Sequence, residues 1–184
     1  MTKSLAKSAA PGFQANFFHN YQVTISRPIS VVFSIIGTSH GAERVTLLSR
    51  LANTFELEQA DTIAIPARAS LEDLHVRTLP APTREDESDS SKRFLPRQFF
   101  EFSESVPLLG RMSYNVRMHG TLTWDEYARV ALYETRSHTG ILVWKLRIFE
   151  EVDSNTTKVI ETIRGLCPGW LKPIVQKTTI AEHT

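Results

Sequence analysis

The chain has 184 residues, 41% of them hydrophobic and 22% charged, with a formal net charge of +1. These proportions suit one soluble globular domain large enough to bury its own core, and the near-zero charge gives nucleic acid or an acidic membrane surface no footing. Cys167 is the single cysteine and no apolar run reaches the ~18 residues of a membrane helix, so a disulfide framework and a membrane span are excluded and a cytoplasmic, reducing setting is expected.

Residues 1–12 carry two lysines and small side chains without an apolar signal region, which predicts a flexible leader before one domain spanning 13–184. Phe13 to Ser26 is a strand, with Tyr21, Val23 and Ile25 alternating against Gln22 and Thr24. Ser26 and Pro28 then open a short helix over Ile29 to Ile36, which Gly37 stops. A second helix is expected over Ala42 to Ala52, the two forming a V. Phe55 to Ile65 alternates as a strand or a broken pair of strands. Ala67 to Pro80 has no firm period, and its Leu71, Leu74 and Val76 fit a helical turn or a piece of strand. Pro82 to Arg93 has no apolar residue and is expected to be a solvated, mobile loop. Its Ser88, Ser90 and Ser91 are either phosphate acceptors or simply loop residues.

Five strand signals follow, over Gln98 to Val106, Met112 to Trp124, Ala128 to Arg136, Ile141 to Val152 and Thr156 to Arg164. Turn-like links join them, so an antiparallel meander is expected. After the Pro168-Gly169 break, Leu171, Ile174, Val175, Thr178 and Ala181 recur at helical spacing. A long terminal helix directly after a strand should fold back across its own sheet, and the concavity that it leaves unfilled would be a cavity.

The predicted class is α+β: a curved antiparallel sheet around a long C-terminal helix, with two short helices after the first strand. This order resembles the SRPBCC, or START-like, superfamily, which includes the birch-pollen-allergen fold and the polyketide cyclases. Residues 99–110 (FFEFSESVPLLG), Tyr133-Glu134-Thr135, 144–150 (WKLRIFE) and 159–168 (VIETIRGLCP) are similar to one branch of it. The resemblance implies a helix-grip domain holding a hydrophobic small molecule. It transfers no catalytic residue, because the superfamily has no universal signature.

Strand alternation sorts the candidate residues into faces. Tyr114, Val116, Met118 and Leu122 share the face expected to look toward the cavity, with Asn115, Arg117, His119 and Thr121 on the other. Phe100, Phe102, Val116, Met118, Trp144, Leu146, Val159 and Ile174 are the expected ligand-lining set. Glu161, between Val159 and Ile163, must be paired if it faces inward. Lys145, Arg147 and Tyr114 are its natural partners. Two readings of Glu161 stand: an acid, base or orienting carboxylate, with Lys145 or Arg147 polarising a carbonyl and Tyr114 donating a hydrogen bond, or a structural ion pair. The same choice covers Glu134. The six histidines show no metal-ligand spacing, and neither a phosphate loop nor a nucleophile elbow is present, so neither metal nor cofactor is expected. The expected function is cofactor-independent cyclisation, isomerisation or elimination of a hydrophobic ligand, the alternative being a carrier or sensor of a lipid-like metabolite. A homodimer stays open.

Overall fold

The computed structural model describes residues 10–107, 113–169 and 171–172. Seven strands form one curved antiparallel sheet. They are β1 (Phe17–Ile25), β2 (Ala52–Pro66), β3 (Lys92–Pro107), β4 (Ser113–Asp125), β5 (Val130–Ser137), β6 (Leu142–Asp153) and β7 (Thr156–Leu166), in the spatial order β1-β7-β6-β5-β4-β3-β2. Strands β2 to β7 are sequential neighbours, as alternation and tight turns dictate. β1 closes the order by pairing with β7, Tyr21 lying opposite Glu161. The chain reaches the far edge through α1 (Ile29–Ile36), a 3-10 turn at Ser39–Gly41 and α2 (Ala42–Thr46). α2 ends at Thr46, six residues short of the expected boundary, because Ala52 already belongs to β2. Pro28, not Ser26, occupies the cap position of α1.

The two short helices cover one face of the sheet. Val32 and Phe33 of α1 and Ala42 of α2 pack on Phe100, Leu122, Ala131, Tyr133, Phe149 and Val159. At one end of this concave face Phe17, Val116, Met118, Ile141, Ile163, Cys167 and Leu171 form a further cluster. Leu171 is buried there, so the chain leaving β7 turns at Pro168-Gly169 onto the concave face. The rest of the predicted terminal helix, Ile174 included, and Met112 lie outside the described residues.

The opposite face is also covered, which the strand pattern did not announce. Residues 67–80 return across it and bury Leu71 and Val76 with Ile63, Ile65, Leu95, Val130, Leu132, Trp144 and Leu146. This segment makes little regular structure, so its backbone needs partners from elsewhere. Three strands supply them. The Glu134 carboxylate accepts from Val76 N at 3.0 Å and Arg77 N at 2.7 Å and pairs with His75 Nδ1. Arg97, held by Asp61 through two bonds of 2.8 and 2.7 Å, donates to the carbonyls of Val76, Arg77 and Leu79. Trp144 Nε1 donates to Leu74 O at 2.9 Å. Glu134, Arg97 and Trp144, all buried on this face, therefore serve a loop backbone.

Pro82 to Arg93 also holds more structure than its composition suggested. Thr83 and Asp86 form a reciprocal capping box that starts α3 (Arg84–Ser88), and Lys92, already in β3, pairs with Asp86. That bond and the Thr83 donors hold the Asp86 carboxyl down at about 2.

Two glycines let aromatic rings cross the concave face. A Cβ on Gly165 would run into the Phe17 ring, and one on Gly120 into the ring of Phe100 and the methyl of Thr135. Gly165→Ala is therefore expected to lose about 1–3 kcal/mol through overpacking, measured by urea unfolding. An unchanged midpoint would show that Phe17 can move aside.

Candidate functional site

The concave face carries an aromatic arc. The Phe55 and Phe100 rings stack at 5.5 Å, Phe102 follows at 5.9 Å, and Tyr133 meets Phe100 edge-on at 6.3 Å. Beside this arc four polar side chains from β5, β6 and β7 converge. Arg147 lies directly opposite Glu161, and its Nε donates to Glu161 Oε2 at 2.5 Å. Both are almost fully buried, at 3% exposure for Glu161 and 9% for Arg147. Arg147 Nη1 also donates to Ile36 O, the last carbonyl of α1, at 3.0 Å. The Tyr133 hydroxyl sits between these groups at longer range, donating to Ile36 O at 3.4 Å and accepting from Arg147 Nη1 at 3.5 Å. At those lengths the hydroxyl is weakly engaged.

Lys145 completes the group. It lies between Tyr133 on β5 and Ile163 on β7, with Nζ and the Arg147 guanidinium each 5.0 Å from the Tyr133 ring centroid. Among the described residues no carboxylate lies within ion-pair distance of its amine. Burial pushes the Lys145 ammonium below the ordinary lysine range, Glu161 and Glu104 pull it back up, and Arg147 adds to the fall. Its side chain is nevertheless only half-buried. Tyr133 is raised, chiefly by burial. Arg147 is raised by Glu161 and Tyr133 against the larger opposing effect of burial.

The structure thus brings Glu161, Arg147 and Lys145 together but leaves Tyr114 out. Tyr114 stands at the start of β4, 37% exposed, with its hydroxyl 3.3 Å from His138 Nε2. Tyr133 occupies the position by the ion pair that sequence reading gave to Tyr114. The available signal was its alternation with Ala131 and Thr135, opposite Lys145. Phe100, Phe102, Val116, Met118 and Val159 belong to the concave clusters. Trp144 and Leu146 do not: they are buried on the outer face under residues 67–80, together with Glu134. Alternation puts Trp144 and Leu146 on the face of β6 opposite Lys145 and Arg147, and that face is buried by residues 67–80, whose sequence has no period to announce them.

On the exposed surface, Glu58, Glu101 and His119 place ligand atoms within 4.8 Å of one another, a grouping across three strands that sequence spacing cannot show. Glu101 is already engaged there by Arg117 Nε at 3.0 Å and His119 Nδ1 at 3.2 Å. Among the described residues no helix is long and apolar enough to cross a membrane.

No family model matches the sequence, and no curated protein sequence matches it. Solved structures do match. The Zhui aromatase/cyclase from Streptomyces sp. R1128 superposes with a TM-score of 0.55 over 90% of this chain and 88% of that one, at 10% sequence identity. The likeness is one of fold: the curved seven-stranded antiparallel sheet with few helices matches the helix-grip fold in general.

Proposed function

We propose that the chain binds a hydrophobic small molecule bearing carbonyl groups against the concave face and catalyses its cyclisation by proton transfer. One observation carries the reading: Tyr133, Lys145, Arg147 and Glu161 gather on a face otherwise built of aromatic and aliphatic side chains. The aromatic arc would hold a flexible apolar chain in a folded conformation, which supplies proximity. Lys145 and the Tyr133 hydroxyl would polarise a carbonyl so that the neighbouring carbon loses a proton to water. The resulting enolate would attack a second carbonyl and close the ring through a new C–C bond, the alkoxide so formed would take up a proton, and loss of that hydroxyl as water would leave a ring double bond. Arg147, held in place by Glu161 and Ile36 O, would stabilise the enolate oxygen. The fold shared with an aromatase/cyclase supports the same class of chemistry.

A carrier that performs no chemistry is the second reading. It is favoured by the ion pair itself, which commits Glu161 to Arg147. The two readings separate in one series. The neutral apolar dye phenylnaphthylamine should bind saturably, and a long-chain diketone whose carbonyls are spaced to close a six-membered ring should cyclise faster with the protein than without it. Tyr133→Phe should slow that closure about a hundredfold with dye binding retained. Dye binding with no acceleration would leave the carrier reading, and absence of dye binding would remove both.

A further inference from the structure

Lys145 differs from the other polar groups of the concave face in what surrounds it. Its strand-to-strand neighbours are Tyr133 and Ile163, and its same-face neighbours along β6 are Val143 and Arg147. The acids facing it are Glu161, whose Oε2 is taken by Arg147, and Glu104 of β3. The ring of Tyr133 lies beneath the amine, and a second cation, Arg147, lies over the same ring. An amine set in apolar surroundings beside another cation is the arrangement that turns lysine into a nucleophile.

We infer that Lys145 captures the carbonyl of an apolar aldehyde or ketone covalently, as an imine formed within the concave face. The inference rests on the reading of that face as a ligand site. In the step, the amine lone pair forms the C–N bond and one amine proton passes to the carbonyl oxygen. A second proton, delivered through the Tyr133 hydroxyl or from solvent, lets that oxygen leave as water. The nitrogen keeps one hydrogen and the positive charge. That iminium withdraws electrons from the adjacent carbon more strongly than a hydrogen-bonded carbonyl does, so it lowers the barrier to the proton loss that cyclisation needs. Desolvation of Lys145 supports the step, since it keeps part of the amine neutral at a pH where exposed lysines are charged.

The test uses naphthaldehyde with cyanoborohydride at neutral pH, followed by peptide mapping, with naphthylmethanol as an analogue that binds but cannot form an imine. The expected result is one naphthylmethyl adduct on Lys145, formed faster than on the exposed Lys172, since a lowered pKa raises the neutral fraction of the amine. Lys145→Arg should abolish that adduct while naphthylmethanol binding, whatever its affinity, stays saturable, and Lys145→Met should do the same if the arginine variant fails to fold. Saturable naphthylmethanol binding with labelling spread over surface lysines, or undiminished in the Lys145 variants, overturns the imine and leaves the ligand site standing. No saturable binding of either compound overturns both.

Discussion

Glu161→Ala is expected to cost about 3–5 kcal/mol of folding stability, because it strands the buried Arg147 guanidinium without its counter-charge. For a domain of this length that is a fall in melting temperature of roughly 6–20 °C. The argument turns on burial. An exposed pair at the same distance would be worth about 1 kcal/mol or less, whereas here both members are nearly inaccessible and Arg147 has only Ile36 O and a distant hydroxyl left to bond. Arg147→Met should also destabilise, since it takes the guanidinium away from the buried Glu161 Oε2. The double variant Glu161→Leu/Arg147→Met should recover most of both losses, since a buried ion pair replaced by apolar groups of similar volume is often neutral or better. Chemical denaturation of the four proteins closes the cycle. A cost below about 1 kcal/mol for Glu161→Ala would mean that water in the concavity solvates Arg147, and the pair would then be a wet feature of the ligand site with little structural role.

The pairing behind that prediction was only half legible in the sequence. Alternation put Val159, Glu161 and Ile163 on one face of β7 and named Arg147 and Lys145 as candidate partners. It could not choose the register. Between Glu151 and Asp153 the β6–β7 ladder shifts by one residue, leaving Val152 without a partner. Without this bulge Glu161 would lie opposite Ile148, so the bulge is what seats the carboxylate on the arginine. The meander itself was legible because period-two patterning and turn residues are local signals. The cover over the outer face was not, since residues 67–80 have no period to detect: side chains from β3, β5 and β6 hold them through bonds to their backbone. The same gap explains the misplacing of Trp144 and Leu146 and the open question over Glu134. A buried carboxylate in a strand reads alike whether it serves a ligand or a loop, until the loop is in view.

Glu134 now belongs to the loop, and its removal should have the second large effect. Glu134→Ala takes the acceptor from two backbone N–H groups, of Val76 and Arg77, and removes the Oε1 partner of His75 Nδ1. Each orphaned donor costs about 1–3 kcal/mol when buried, so a total near 3–4 kcal/mol is expected. The loss should be local before it is global. Arg97 and Trp144 still hold carbonyls of the same segment, so residues 71–79 should loosen from Leu132, Trp144 and Leu146 while the sheet persists. Hydrogen exchange should show that segment losing protection well before β5 or β6, and a protease should nick it first. The concave face contributes nothing to this contact and should keep its phenylnaphthylamine binding. Glu134→Gln, which retains one acceptor oxygen, should fall between wild type and Glu134→Ala. Exchange in 71–79 unchanged by Glu134→Ala would show that Arg97 and Trp144 suffice to hold the cover. Loss of dye binding at full residual fold would instead tie Glu134 to the ligand face, against its placement on the far side of the sheet.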